Sequence, residues 1–257
     1  MVHTVMALAR LLIPPDALEQ NQINIRGRDA LHLAGPLRMR PGQKLHVYAS
    51  HTGTDYLICL TAVAPDLVQG DIEEETAKPD QLDPQPVVLL QAILHSDMEL
   101  TVAAATELGV EEIIPVLTGR SLTSATEKRH KQVTRWQKTA ADAAATSWRT
   151  HIPVILPVMT LEEALKRQSP TSIIACHVHP ATRPLTETVP ASGAISLVIG
   201  PEGGLAPPDV ALLEKYGAAF SHLGNRPMRA RVAAPLALAL VRQVTGGWKE
   251  APEELED

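Results

Sequence analysis

The stretch "SLVIGPEGGLAPPDVALLEKYG", residues 196–217, decides how the chain is read. Ser196 to Ile199 form a short, partly β-branched apolar run that ends in a turn signal, the pattern of a buried strand. Three of the next five residues are glycine (Gly200, Gly203 and Gly204). Glycine adopts positive φ and lets another group approach the backbone closely. Pro207 and Pro208 suit the first turn of a helix, where the backbone N–H groups have no internal partner. A strand, an open backbone loop and a helix start make a place for a ligand. The same residues also suit a tight strand–helix turn that binds nothing.

Outward from this point strands and helices alternate. "VVLLQAIL" (87–94), "EEIIPVLT" (111–118), "SIIACHV" (172–178) and "AFSHLG" (219–224) read as further strands, and "PVILPV" (153–158) as a short extended piece. "SDMELTVAAATELGV" (96–110) reads as a helix with a Ser96–Glu99 capping box and a C-cap glycine at Gly109. Residues 126–148 read as a helix with Val133, Trp136, Ala140 and Ala144 on one stripe. Thr160 and Glu163 cap a helix over 161–168, and "AAPLALALVRQV" (233–244) closes the series. Such alternation implies a mostly parallel sheet covered on both sides.

Before residue 70 the pattern differs. Short apolar segments ("RLLIP", "ALHLAG", "KLHVYAS", "DYLICLTAV") are separated by turn-forming "RGRD", "RPGQ" and "HTGTD". No long helix stands out, so a small β-barrel or sandwich is expected. Residues 71–86 are acidic, with Pro79, Pro84 and Pro86, and read as an extended linker. The expected organisation is therefore a barrel over 1–70, a linker over 71–86, an α/β domain over 87–248 and an acidic tail over 249–257.

The totals bound the class. The chain has 257 residues, 45% hydrophobic, enough for one large domain or two smaller ones. No apolar run is long enough to span a bilayer, and Arg10 interrupts the apolar opening, which reads as a first strand and not a signal peptide. Cys59 and Cys176 are the only cysteines and lack CxxC spacing, which fits a reducing cytosol and argues against a disulfide scaffold or a cysteine zinc site. "CHVH" (Cys176, His177, His179) offers metal-ligating groups, but no second cluster completes a four-coordinate site, and no metal is expected. The net charge of −6 conceals a basic stretch: residues 120–150 hold seven cations against Glu127 and Asp142. That stretch is either a solvated helix face or a nucleic-acid surface.

Several familiar sites are absent from the sequence. There is no G-x-G-x-x-G, no Lys-Ser/Thr after the glycines and no G-x-S-x-G elbow. What remains is a pair of loops: "IGPEGG" (199–204), and "HLGNRPMRARVAAP" (222–235), where a second strand runs into Gly224. Ligands of doubly wound sheets sit beyond the carboxyl ends of the strands. Two glycine loops at adjacent strand ends would offer backbone donors and acceptors, an apolar wall (Leu223, Met228) and a cation at the rim. That suits a nearly neutral heterocycle better than a triphosphate.

"IGPEGG" followed by "LGNRPMRARVAA" resembles the SPOUT methyltransferases, specifically those of the RsmE type, which act on a uridine of small-subunit ribosomal RNA. The resemblance extends through "ATELGVEEIIPVLTGRS", "KRHKQVTRWQKTAADAA" and "SWRTHIP", and weakly into "HLAGPLRMRPGQKL". It implies a PUA-like RNA-binding barrel, an α/β domain whose C-terminal segment threads a trefoil knot, a cytoplasmic homodimer, and S-adenosylmethionine bound in the knot. It places Ala175, His177, Ile199, Gly200, Gly204, Leu223, Gly224, Asn225, Pro227 and Met228 around that cofactor. The implied reaction is methylation of the N3 ring nitrogen of a uridine in 16S ribosomal RNA, with Arg229 as the candidate cation that stabilises charge on the flanking carbonyls. Arg38, Arg40, Arg120, Arg129, Arg135 and Arg149 are the candidate RNA contacts, and with few aromatic residues phosphate and shape contacts should dominate.

The chain departs from the family pattern at "MRARVA", where Arg231 and Val232 replace an acidic residue and a threonine, and at Ala104, Gly119, Ala145 and Thr146. These departures leave room for a related methyltransferase acting on another nucleotide, or for an RNA-binding assembly protein without catalysis.

Overall fold

The structure is a computed structural model and describes residues 10–49, 52–77, 85–121, 126–149, 151–168, 171–178 and 182–247, without the side chains of 76–77 and 126–129. The chain forms two compact units. One is built from residues within Met1–Gln81 and Ala144–His151, the other from residues within Leu82–Ala143 and Ile152–Glu254.

The first unit contains β1 (Arg10–Leu12), β2 (Leu18–Glu19), β3 (Gln22–Arg26), α1 (Gly27–Ala34), β4 (Lys44–Ala49), β5 (Thr54–Val63) and β6 (Leu67–Ala77). Among the described residues its six strands pair in the order β1-β4-β5-β6-β3-β2, antiparallel except for the parallel β1–β4 pair. Alternation drives this arrangement. Leu45 and Val47 of β4, Ile58 and Leu60 of β5, and Ile23 and Ile25 of β3 share one buried core, while the residues between them face away. Helix α1 is not expected from the sequence. Its buried Ala30 and Leu33 lie three apart, and "ALHLAG" also fits an alternating strand, so the period alone does not decide.

Two boundaries differ from the sequence reading. Strand β6 continues to Ala77, so Asp71–Ala77 pairs with β5 and is not linker. Mutual pairing satisfies the backbone there while Glu73, Glu74 and Glu75 keep their carboxylates at the surface. Ala144–His151, expected within the α/β domain, groups with the first unit. Its anchor is Arg10, whose guanidinium donates to Asp55 Oδ1 (2.7 Å) and Oδ2 (3.0 Å) and to the Arg149 carbonyl (2.8 Å). The same guanidinium lies over the Tyr48 ring at 4.2 Å and the Trp148 ring at 5.4 Å. A buried charge with a bidentate partner and a carbonyl to spare is a satisfied one.

The second unit contains β7 (Val87–Ala92), α2 (Met98–Glu107), β8 (Glu112–Leu117), α3 (Thr126–Thr146), β9 (Val154–Ile155), β10 (Met159–Thr160), α4 (Leu161–Lys166), β11 (Ser172–Cys176), β12 (Arg183–Pro184), α5 (Leu185–Thr188), β13 (Ile195–Ile199), α6 (Pro207–Lys215), β14 (Ala219–His222) and α7 (Ala230–Thr245). Every described strand pair is parallel, in the order β10-β8-β7-β13-β11-β14-β12, with β9 also on β8. The pleat sends Leu89, Ile113, Ile174 and Leu197 to one face, against α2, α3, α5 and α7. It sends Leu90, Ile114, Ala175 and Val198 to the other, against α4 and α6. Both faces are therefore covered.

The caps follow local chemistry. Thr160 accepts from the Glu163 N–H, and Glu163 accepts from the Thr160 N–H at 2.8 Å. The Thr160 N–H foremost, and then the Thr160 hydroxyl, which donates to the same carboxylate at 2.7 Å, hold the Glu163 carboxyl below its usual range. The expected Ser96 cap is not formed: Asp97 occupies the N-cap of α2 in the left-handed region (φ 65°). Its carboxylate pairs with Arg231 instead, Nη1 to Oδ2 at 2.9 Å. Gly109 ends α2 as expected, at φ 85°. Arg242 of α7 is buried and donates to the carbonyls of Gln85, Leu108 and Gly109, which ties the last helix to the start of the sheet. Among the described residues no helix is long and apolar enough to cross a membrane.

Candidate functional site

The glycine loop leaves β13 at Ile199 and doubles back within five residues, with the Gly204 N–H donating to the Pro201 carbonyl at 2.8 Å. Gly204 has φ 71°, a conformation that L side chains rarely adopt. At Gly200 a Cβ would come within 3.2 Å of Leu205 Cγ, so the bare backbone is what lets Leu205 fold back. Asp209, in the first turn of α6, accepts from the Ala206 N–H at 2.8 Å and from the Gly119 N–H at 3.1 Å. Glu202, at the turn of the loop, accepts the His95 N–H through its Oε1 at 2.9 Å.

The second loop leaves β14 at His222. Gly224 has φ 126° and donates its N–H to His222 Nδ1 at 3.2 Å. Met228 follows, and Arg229 is the N-cap of α7, its carbonyl accepting from Val232 and Ala233. The Arg229 side chain is exposed and has no hydrogen-bond or ion-pair partner among the described residues.

The sequence suggested adjacent strand ends for the two loops, but β13 and β14 are not neighbours. Strand β11 lies between them and pairs with both. A third strand end therefore enters the site, with the His177 N–H donating to the Ser221 carbonyl at 3.0 Å. Between the three ends lies a cleft of about 270 Å³, floored by Ala230 and Ala233 of α7.

Of the ten residues expected around a cofactor, His177, Ile199, Gly200, Gly204, Leu223, Gly224, Pro227 and Met228 line this cleft. Ala175 and Asn225 do not. Successive strand residues face opposite sides, and Ala175 packs into the core under α4 and α6, while Asn225 is an exposed residue of the loop. The sequence missed Cys176, Val178, Ser221 and His222, which also line the cleft. Their signal was the register: Cys176 pairs with both Ile199 and Ser221 across the sheet. Burial pushes the Cys176 thiol up to about 12, so it stays protonated near neutral pH. Ser221 Oγ is buried with no hydrogen-bond partner among the described residues.

The arginines expected to meet RNA are placed separately. Arg38 and Arg40 are exposed in the first unit, and Arg149 is half-buried there. In the second unit Arg135 pairs with Glu99, and Arg120 donates to the Gly203 carbonyl at 2.6 Å. The Arg129 side chain and all of His179 lie outside the described residues. Among the described residues no three His, Cys, Asp or Glu side chains gather to hold a metal.

What the cleft offers is an apolar wall, backbone donors and acceptors from loops of glycine, and no lysine among its lining residues. These fit an uncharged heterocycle carrying a small polar chain. An all-parallel sheet with its cleft beyond the strand carboxyl ends places the second unit among the α/β proteins that carry ligand sites there. Residues 81–242 match the RNA methyltransferase domain family, and the chain belongs to that family. It is 27% identical over 241 residues to the ribosomal RNA small subunit methyltransferase E of Mycobacterium tuberculosis, covering 90% of each chain. It is 25% identical over 237 residues to the protein of that name from Bacillus subtilis, covering 88% of this chain and 92% of the other. In structure it is similar to the ribosomal RNA small subunit methyltransferase E of Neisseria gonorrhoeae, crystallised with S-adenosyl methionine, at TM-score 0.82 and 26% identity, covering 92% and 98% of the two chains.

Proposed function

We propose that the protein methylates N3 of a uridine in the 16S RNA of the small ribosomal subunit, with S-adenosylmethionine as methyl donor. The observation that carries this reading is the cleft at three strand ends. Two of its walls are loops, each held open by a glycine at positive φ. In this reading backbone groups of the Gly200–Gly204 and Leu223–Met228 loops bond the cofactor's heterocycle, and the Leu223 and Met228 side chains pack on it. When bound, the cofactor supplies an activated methyl group on sulfur.

The chain's own residues have less chemistry to do than positioning. The uridine N3 proton must leave, and negative charge then spreads to the flanking carbonyl oxygens. Arg229 is the group suited to meet that charge, because its guanidinium is exposed at the start of α7 and uncommitted among the described residues.

The first unit, with its curled six-stranded sheet, serves in this reading as a PUA-like RNA-binding barrel, and the stretch around 78–86 as its link to the catalytic domain. A trefoil knot is supported by α7, which follows β14 yet packs against α2 and α5 and donates through Arg242 to Gln85 and Leu108. A homodimer is supported by exposed apolar side chains on the paired helices α2 and α7, Leu100, Val232 and Val244, and the two unpaired cysteines accord with a cytoplasmic protein. RNA is held through arginine–phosphate contacts, so affinity should fall steeply with salt.

The test combines calorimetric titration of S-adenosylmethionine with tritium transfer to small subunits, and mass mapping of 16S RNA from cells lacking the protein. Binding, transfer and one uridine that loses its methyl group are expected. A protein that binds no S-adenosylmethionine overturns the reading.

A further inference from the structure

The glycine loop contains the peptide between Gly203 and Gly204. A glycine–glycine peptide is free to flip, because neither residue has a Cβ to favour one orientation. Here both of its polar atoms are held. The Gly204 N–H donates to the Pro201 carbonyl at 2.8 Å, and the Gly203 carbonyl accepts from Arg120 Nη1 at 2.6 Å. The arginine arrives from a turn built to aim it. That turn follows β8, and Ser121 Oγ bonds the Thr118 N–H at 3.1 Å and the Thr118 hydroxyl at 2.9 Å. Asp209 holds the Gly119 N–H with both carboxylate oxygens, each at 3.1 Å.

Gly119 makes the approach close enough. A Cβ at Gly119 would stand 2.9 Å from Ala206 Cβ, so any other residue there would push the turn away from the loop. A Cβ at Gly203 would meet Arg120 Cδ at 3.4 Å, an ordinary van der Waals contact. The stem of Arg120 therefore lies directly over bare backbone.

From this geometry we infer that Arg120 is a positioning residue of the cofactor loop: it selects one orientation of the Gly203–Gly204 peptide and so pre-forms the wall that Gly204 contributes to the cleft. The inference rests on the S-adenosylmethionine reading above. It assigns Arg120 a task different from the phosphate contact expected from sequence. Pre-forming the loop removes an ordering cost that binding would otherwise carry. A guanidinium–carbonyl bond is charge-assisted and stronger than a neutral one.

The test uses the full-length protein and two variants of similar side-chain length, Arg120→Lys, which keeps a donor, and Arg120→Met, which has none. Calorimetry with S-adenosylmethionine, without RNA, should show Arg120→Met at least about tenfold weaker than wild type, equivalent to about 1.4 kcal/mol. Arg120→Lys should stay within about threefold, both variants should melt like wild type, and KM for the cofactor should rise with kcat nearly unchanged. The salt dependence of RNA binding should keep its slope. Arg120→Met binding within twofold of wild type, or Arg120→Lys falling as far as Arg120→Met, overturns the inference. So does a slope reduced by about one with cofactor affinity intact, which would make Arg120 a phosphate contact. Failure of the wild-type protein to bind S-adenosylmethionine is a separate result that removes the functional reading itself.

Discussion

Replacing Gly204 by valine tests whether backbone conformation, and not free space, makes the cleft. Gly204 has φ 71°, and a Cβ added there meets Arg120 Nη1 only at 3.9 Å, an ordinary contact. Collision within the protein is therefore not the obstacle. Strain is: a non-glycine residue in the left-handed region costs about 1–3 kcal/mol, and a β-branched one lies at the upper end. In the free protein the loop relieves this strain by rotating out of the left-handed region and releasing the Gly204–Pro201 hydrogen bond. Binding must restore both. Affinity for S-adenosylmethionine should then fall by about 5- to 150-fold, at 1.4 kcal/mol per tenfold.

Gly217 supplies the control. It has φ 72°, nothing stands within 4 Å of its added Cβ, and it lies in the turn between α6 and β14, outside the cleft lining. Gly217→Val should lower the melting temperature through the same strain and leave cofactor affinity intact. Calorimetry and thermal melting of both variants make the comparison. The reasoning is refuted if Gly204→Val binds within threefold of wild type, or if Gly217→Val loses as much affinity as Gly204→Val.

Arg229→Ala should abolish tritium transfer to small subunits and leave calorimetric cofactor affinity nearly unchanged; normal turnover would remove Arg229 from the chemistry. Arg10→Met should destabilise the first unit by about 3–5 kcal/mol, because it leaves the Asp55 carboxylate buried and unpaired, and adding Asp55→Leu should recover most of the loss in urea titrations. Cys176 should resist iodoacetamide at pH 8 in the native protein and react once unfolded. Its folded pKa of about 12 lies above that of an unfolded thiol, so the stability from keeping it neutral is full below about pH 9 and fades from there to about pH 12. A thiol alkylated at pH 8 at the rate of a free cysteine would contradict this.

Much of the α/β unit was legible because its strands and helices differ in period and its ends carry local signals. Thr160 and Glu163 cap α4, Gly109 stops α2, and Pro207 opens α6, all as the residues indicate. Ser96 misled because Asp97 takes the N-cap of α2, its carboxylate paired with Arg231, 134 residues away and invisible to local pattern. Helix α1 was hidden because eight residues are too few for period 3.6 to separate from period 2. At the site, the glycine loops were plain in the sequence, but the strand between them was not. Nothing local in "SIIACHV" says that it pairs with both β13 and β14, so the place of Cys176 and Ser221 at the cleft escaped notice. The turn that aims Arg120 escaped for the same reason.

The insertion of β11 between β13 and β14 has a consequence for assembly. No run of consecutive residues contains the cleft: its three walls come from segments centred on Cys176, Gly200 and Leu223, and they meet only after strands added out of chain order have found their places. Nascent or partly melted chains therefore have nowhere to keep a nucleoside. A ligand lodged there must draw its free energy from the finished sheet, so it should raise the unfolding temperature of the whole α/β unit and not merely quiet its loops.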